Sequence, residues 1–301
     1  MKAFQGVFPA MITPFTDDGR EIAPQRLKRY CEFLIGRGAG GLFPFGTTGE
    51  WPFLSLEERK KGLEIVLAAS GGRVPVLAHA GGHTTDQTVE LAAHAREAGA
   101  AGISVISPPF YPLDEQGLYE YFLAVAGTVP DLPVFLYNLP SHTGKDISPR
   151  LLERIARGAE NVVGIKYSGE SLIQFREYRR RMGREFRVFI GCDALILPSL
   201  LEGGDGIVSG KGSAFVDLVA GIYAAFKGRR LEEAARLQEA LDQVQGCVDQ
   251  GAELSSFKEM LRLRGVEVGE VRGPLRRLSV EGRAALRERL RALEEAGKLK
   301  L

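Results

Sequence analysis

Three short stretches of this sequence carry residues that could together act on a carbonyl compound. The first, residues 162–169, has the apolar pattern of a buried strand and contains one lysine, Lys166. Side chains alternate along a strand, so Val162, Gly164 and Lys166 share one face. Burial disfavours an ammonium ion, and a neutral amine can attack a carbonyl carbon to form a Schiff base. A lone lysine at a strand end more often extends into solvent, so the other two stretches decide the interpretation.

The other two stretches place hydroxyl groups at the ends of two further apolar runs. Tyr137 ends one run, and the loop 46–49, with sequence Gly-Thr-Thr-Gly, ends another. A phenol can transfer protons beside a Schiff-base nitrogen, although many core tyrosines only satisfy their own hydroxyl. Backbone N–H groups and the hydroxyls of Thr47 and Thr48 can hold a small carboxylate, although such loops are usually simple turns. Adjacent barrel strands lie about 4.8 Å apart, so Tyr137 and Lys166 could contact the same carbonyl carbon.

The elements that would position these residues alternate between strand and helix. Eight apolar runs are each followed by a helical pattern, at the spacing of roughly 30 residues that βα units need. The predicted strands are 7–12, 42–45, 74–79, 102–106, 133–138, 162–169, 186–190 and 206–209. This order predicts an α/β fold, a (β/α)8 TIM barrel. A doubly wound open sheet is the alternative, but it rarely needs eight such units, and the sequence lacks a Gly-rich dinucleotide fingerprint.

The remaining chain, from Arg229 to Leu301, contains three helical patterns with no strand between them. We therefore expect a catalytic barrel over residues 1–228 and a C-terminal helical domain over residues 229–301. Such an appendage would pack on the barrel or contribute oligomer contacts.

Composition excludes several classes of function. A formal net charge of +1 argues against a nucleic-acid binder that depends on long-range electrostatics. The first residues lack a signal-peptide pattern, and no apolar run approaches membrane-spanning length. The three cysteines are far apart, which indicates neither a disulfide framework nor a zinc site. We expect a cytoplasmic protein.

A metal site and a nucleophile pair are two alternative chemistries for this barrel. His79 and His83 could bind a metal, as in a metal-dependent aldolase, but the spacer between them fixes no ligand geometry, and loop histidines without metal are the better interpretation. Cys192 and Asp193 could form a nucleophile pair, but no base partner is evident, and a buried thiol is favoured.

The three stretches, extended to 46–50, 137–144 and 164–166, resemble the dihydrodipicolinate synthase / N-acetylneuraminate lyase family. The likeness covers nearly the whole chain, including Gly191 after the seventh strand and the sequence Arg-Gly-Pro-Leu at 272–275. The resemblance implies a pyruvate-dependent class I aldolase or lyase on a (β/α)8 barrel, commonly a homotetramer.

By this resemblance Lys166 forms the Schiff base, Tyr137 relays protons and Thr47 assists catalysis. Thr47 and Thr48 would hold the carboxylate of a 2-oxo acid. The resemblance implies that the protein needs no metal or organic cofactor. It also implies that the protein binds a small 2-oxo acid and an aldehyde, and neither nucleic acid nor membrane. The other residues predicted to contact substrate are Gly46, Val208, Gly191, His142, Phe110 and Tyr111.

Two departures from the family pattern bear on the substrate. Dihydrodipicolinate synthases usually have an arginine where this chain has His142, and a tyrosine contributed across a subunit interface where it has Phe110, although Tyr111 is adjacent. Leu56 and Arg59 replace the family's lysine-feedback histidines, so feedback inhibition by lysine is not expected.

The main prediction is therefore cleavage or formation of a 2-keto-3-deoxy sugar acid. The alternatives are a 4-hydroxy-tetrahydrodipicolinate synthase that condenses pyruvate with aspartate semialdehyde, and dehydration of a 2-oxo sugar acid. A non-catalytic binding or regulatory barrel is an alternative of another class. The presence of Lys166, Tyr137 and Thr47 together argues against it.

Overall fold

A computed structural model describes residues 4–301 and contains a curled parallel sheet. Its strands pair in the order β1-β7-β6-β5-β4-β3-β2, and every pair is parallel. The strands are β1 Gly6–Pro9, β2 Leu77–His79, β3 Gly102–Ile106, β4 Val134–Asn138, β5 Val162–Tyr167, β6 Arg187–Ile190 and β7 Gly206–Ser209. Together with the helices that follow each strand, this arrangement is the predicted (β/α)8 architecture.

The eighth position in the ring is occupied by the segment 42–45, which was predicted as a full strand. Leu42 and Phe43 instead form single parallel bridges, to Val76 on one side and to Ala10 on the other. Pro44 has no N–H to donate to a ladder. Phe45 has a positive φ of 57°, which turns the backbone out of the extended conformation. The segment therefore joins the two edges of the sheet with few hydrogen bonds and leads at once into the loop 46–49.

Twelve α-helices are found within residues 4–301. Those of the barrel are α1 Pro24–Gly36, α2 Leu56–Ser70, α3 Thr85–Glu97, α4 Glu115–Thr128, α5 Pro140–Thr143, α6 Pro149–Gly158, α7 Leu172–Met182, α8 Ile196–Leu201 and α9 Val216–Lys227. The C-terminal helices are α10 Leu231–Cys247, α11 Glu253–Leu263 and α12 Val280–Glu295. The spacing of Ser55 and Glu58 in the sequence is that of a capping box, and the structure contains it at the start of α2. The Ser55 hydroxyl accepts from the Glu58 N–H, and the Glu58 carboxylate accepts from the Ser55 N–H.

Aromatic side chains fill the barrel beneath the carboxyl ends of its strands. The ring of Phe189 lies 5.3 Å from that of Phe8 and 5.4 Å from that of Phe135, between centroids. Tyr137 and Val208 belong to the same buried cluster. The floor of any site at this end is therefore apolar and excludes water.

Two ion pairs join the C-terminal part of the chain to the barrel, and the first of them is buried. Lys258 of α11 lies 2.9 Å from the Glu50 carboxylate, and Arg272 binds the Glu58 carboxylate. The chain passes from α9 to α10 through the short connection 228–230. A domain boundary at 228/229 remains a prediction. Among residues 4–301, no helix has the length and apolar character needed to cross a lipid bilayer.

Candidate active site

Lys166 lies near the carboxyl end of β5, inside the barrel. Its side chain is 4% exposed, and it is in register with Tyr137 of β4. Nζ lies 3.7 Å from the centroid of the Tyr137 ring and 4.5 Å from that of Phe43. No hydrogen bond or ion pair within residues 4–301 involves this amine. The amine is therefore accessible to a reacting group without first breaking a hydrogen bond or an ion pair to the described residues.

The space beside Lys166 depends on Gly191, which follows β6. A Cβ at Gly191 would lie 2.0 Å from Ser168 Oγ and 3.0 Å from Lys166 Cε. Any side chain at this position would therefore collide with Ser168 and crowd the end of the lysine side chain. The contact of Gly191 with substrate remains a prediction.

Thr47 and Tyr137 form the polar part of the site. Thr47 Oγ1 lies 3.3 Å from Tyr137 Oη, close enough for a hydrogen bond in which either hydroxyl donates. The loop is held by its own backbone, since the Gly49 N–H donates to Gly46 O at 3.0 Å. A Cβ at Gly46 would lie 2.6 Å from the Phe43 ring, so this close packing requires glycine.

Thr48 and Val208 lie at the same end of the barrel. A Cβ at Gly210 would be 3.8 Å from both Thr48 Oγ1 and Asp193 Oδ2, which places these groups around one opening. Val208 is buried in the inner cluster that contains Tyr137. Val208 therefore lines the same interior as Tyr137, and Thr48 lies beside the turn that follows β7. Their contact with a 2-oxo acid remains a prediction.

His142, in the short helix α5, lies further out. It lines a cavity of about 340 Å³ together with Thr47, Glu50 and Arg276. Arg276, the one cation among the described residues that line this cavity, is 2.6 Å from the Asp249 carboxylate. The cavity therefore extends the site outward from Thr47 without offering an unpaired positive charge.

Phe110 and Tyr111 are not brought to Lys166 within one chain. Their side chains are 86% and 72% exposed, and the two rings pack edge to face at 5.0 Å. Tyr111 lines a different groove, with Pro109 and His83. Their predicted contact with substrate remains a prediction.

Sequence reasoning considered His79 only as a metal ligand and missed its position in this site. No cluster of three or more His, Cys, Asp or Glu side chains suited to a metal occurs within residues 4–301. His79 instead faces the barrel interior, with its ring centroid 6.0 Å from that of Tyr137. Its alternation with Leu77 could have indicated this, because side chains two apart on a strand share a face. Its contact with Arg59 of α2 had no sequence signal.

Cys192 and Asp193 do not act on one another as a nucleophile and its base. Asp193 Oδ2 accepts from the Lys211 backbone N–H at 3.0 Å and lies 3.2 Å from Lys211 Nζ. Burial raises the pKa of the half-buried Cys192 thiol, which disfavours the thiolate.

Comparison with known proteins identifies the family to which this geometry belongs. The family model for the dihydrodipicolinate synthetase family matches residues 3–293. The chain belongs to that family. A 4-hydroxy-tetrahydrodipicolinate synthase of Methanosphaerula palustris is 35% identical over 287 residues, which cover 95% of this chain and 98% of the relative.

Solved structures of the family have the same fold. YagE of Escherichia coli, determined in complex with pyruvate, is 33% identical, with a TM-score of 0.92 over 97% of this chain and 99% of that one. A sialic acid aldolase of Ruminococcus gnavus is 26% identical, with a TM-score of 0.93 over 98% and 99% of the two chains.

Membership of the family defines the class of reaction. Its enzymes are pyruvate-dependent lyases or synthases in which a lysine forms a Schiff base, and this chain is an enzyme of that class. The predicted family, fold and enzyme class are thereby confirmed. Which aldehyde or sugar acid reacts is a separate question.

Proposed function

We propose that Lys166 is the Schiff-base lysine and that this enzyme joins pyruvate to an aldehyde, or releases it, through an imine on Nζ. One observation carries the proposal: a buried amine that has no hydrogen-bond partner among residues 4–301 packs on the ring of Tyr137, whose hydroxyl contacts Thr47.

The proposed order of reaction steps is based on these positions. The Lys166 amine attacks C2 of pyruvate to form a carbinolamine, and loss of water gives the protonated imine. Removal of a proton from C3 gives an enamine, whose C3 attacks the aldehyde carbon while the aldehyde oxygen takes up a proton. Water then hydrolyses the new imine, which releases the product and restores the Lys166 amine. Tyr137 and Thr47 would carry the protons that these steps exchange. Thr48 would help to hold the pyruvate carboxylate.

For the aldehyde we propose a neutral hydroxyaldehyde, so that the larger substrate is a 2-keto-3-deoxy sugar acid. The charges of the cavity outside Thr47 support this choice. Arg276 is paired with Asp249, Glu50 is paired with Lys258, and the exposed Glu253 adds a negative charge. His142 offers no guanidinium fork to a second carboxylate.

A second candidate, 4-hydroxy-tetrahydrodipicolinate synthase, is supported by the name of the Methanosphaerula palustris relative, which matches along nearly its whole length. On the evidence of curated relatives alone this candidate is the better supported of the two. The cavity charges are the reason to place it second.

One assay separates the two candidates. We expect a higher kcat/KM for the reaction of pyruvate with glyceraldehyde than with aspartate semialdehyde. The missing charge-assisted hydrogen bond should cost on the order of one to two decades with the semialdehyde. Efficient condensation on the semialdehyde, in preference to glyceraldehyde, would establish the synthase instead.

His142→Arg provides the matched variant. It should improve the semialdehyde reaction and leave the glyceraldehyde reaction nearly unchanged, because it supplies a donor fork that only a carboxylate uses. Equal loss with both aldehydes would mean that His142 has a role other than choosing between them.

A further inference from the structure

A buried imidazole lies in the wall of the site beside the proposed catalytic residues. The side chain of His79, the last residue of β2, is 4% exposed. Its ring stands edge to face with that of Tyr137 and lies 5.7 Å from the Trp51 ring, between centroids. His79 alternates with Leu77, which belongs to the inner cluster of the barrel. The imidazole therefore faces the space that Lys166 and Tyr137 face.

Arg59 of α2 fixes which nitrogen of this imidazole carries the proton. The guanidinium is buried, donates to His79 O at 2.6 Å and to Gly81 O at 2.7 Å, and lies 3.2 Å from His79 Nδ1. A guanidinium has donors only, so Nδ1 must accept. In a neutral imidazole the proton then resides on Nε2.

The surroundings of His79 also keep the ring neutral. Burial, followed by the positive charges of Arg59 and Lys166, lowers the pKa of His79 well below its usual value, against an opposing contact with the Phe45 backbone. Within residues 4–301, no carboxylate pairs with either His79 or Arg59. A ring in this setting acts as a hydrogen-bond donor through Nε2–H and does not serve as a base.

This donor makes no hydrogen bond of normal length and angle to the described residues, and the ring has only a weaker contact with the Phe45 backbone. His79 Nε2 is buried and makes no hydrogen bond within residues 4–301. Gly81 packs closely beside this nitrogen, since a Cβ there would lie 3.0 Å from Nε2 and 2.6 Å from the Ile106 side chain, so any larger residue would crowd Nε2. A buried N–H without a partner is unfavourable, so a group that brings an oxygen to Nε2 would be stabilised.

We propose that His79 is a further substrate-binding residue, whose Nε2–H donates to the carboxylate of pyruvate bound at Lys166, and that Arg59 is the positioning residue that fixes this tautomer. The inference rests on the proposed function, which brings pyruvate to Lys166. Of the oxygens of pyruvate, we choose the carboxylate as the acceptor because hydrogen bonds to a charged oxygen are stronger than those to a neutral one. The His79 backbone N–H also donates to Pro44 O, in the segment that leads to Thr47.

Substitutions of His79 test the donor. His79→Phe keeps an aromatic ring of similar size and removes the N–H, whereas His79→Gln retains a donor. Loss of a hydrogen bond to a charged acceptor should raise the KM for pyruvate about tenfold to a hundredfold in His79→Phe, with a smaller change in kcat. His79→Gln should recover much of this loss. His83→Phe is the matched control, because His83 also packs on Trp51 but is exposed, and its KM should not change.

Nitrogen-15 spectra of histidine-labelled protein test the role of Arg59, since the chain has only four histidines. His79 should show a protonated Nε2 and an unprotonated Nδ1, and the Nε2 signal should shift when pyruvate is added. Arg59→Met should lower the fraction of His79 that is protonated on Nε2 and raise the KM for pyruvate. A protonated Nδ1 in the wild-type protein would overturn the role of Arg59, even if the Arg59 variant does not fold.

Borohydride trapping separates this inference from the proposed function. If pyruvate is trapped on Lys166 and His79→Phe leaves KM unchanged, the role of His79 is wrong and the proposed function stands. If wild-type protein forms no adduct on Lys166, the proposed function itself is wrong.

Discussion

Two buried lysines in this protein have opposite surroundings. Lys258 of α11 is 2.9 Å from the Glu50 carboxylate, and its Nζ also donates to the backbone oxygens of Thr13 and Glu270. Burial lowers the pKa of Lys258 to about 8, although the Glu50 charge opposes the shift. Lys166 is also buried, but its amine makes no ion pair or hydrogen bond within residues 4–301 and packs on the rings of Tyr137 and Phe43.

The difference shows that burial alone does not make a lysine reactive. The ammonium of Lys258 is stabilised by a counter-ion and two carbonyl groups, so this side chain joins the C-terminal helices to the loop that carries Glu50. Lys166 has no such partner within residues 4–301, which is what the proposed reaction with a carbonyl compound requires of it. The contacts of Lys258 give it a structural role, and we propose a chemical one for Lys166.

Replacing each lysine by methionine should separate these roles most clearly. Lys166→Met should abolish turnover, because methionine has no amine to form the imine, and should leave the protein as stable as the wild type. Lys258→Met should still form an adduct with pyruvate at a temperature at which it is folded. Steady-state assays with pyruvate and an aldehyde measure the first effect. Residual turnover by Lys166→Met would show that another group does the chemistry.

Among substitutions of residues near Lys166, Tyr137→Phe should cause the next largest loss of turnover. Phenylalanine retains the ring on which Nζ packs but removes the hydroxyl that contacts Thr47. Turnover should fall by roughly 10²–10⁴-fold if the phenol is a positioned acid–base. Thr47→Val is the companion variant and should produce a smaller decrease. A rate unchanged in Tyr137→Phe would exclude the phenol from proton transfer.

Substitution of Lys258 is expected to change the stability of the protein. Lys258→Met leaves the Glu50 carboxylate buried without its cation, which should lower the free energy of unfolding by about 3–5 kcal/mol. Chemical denaturation of wild type, Lys258→Met and the double variant Lys258→Met with Glu50→Gln measures this. The double variant should regain part of the loss, because it removes the unpaired charge. Equal free energies of unfolding in all three proteins would show that the ion pair does not stabilise the fold.

Much of the barrel could be predicted because its strands and caps have local signals. The strand 102–106 and the strand 206–209 have the predicted bounds, and the capping box of Ser55 and Glu58 is present. The predicted strand 42–45 was wrong in its extent. An apolar run shows that a segment is buried, but Pro44 and the turn at Phe45 decide how many ladder bonds it forms.

The candidate site was predictable where strand alternation and strand ends determine it. Lys166, Tyr137 and Thr47 follow from that rule, and the fold places them together. The contact between Arg59 and His79 was not predictable, because it depends on how α2 packs against β2. The sequence likewise did not reveal that Arg276 approaches His142 across one cavity, since 134 positions separate them and no local pattern connects them.

The central claim is that Lys166, and not Lys258 or another lysine, forms the imine. Wild-type protein is incubated with pyruvate and borohydride, digested, and analysed by mass spectrometry. We expect one reduced pyruvyl group per chain, on the peptide that contains Lys166, and none in Lys166→Met. No adduct, or an adduct on Lys258 or Lys211 that persists in Lys166→Met, would contradict the account.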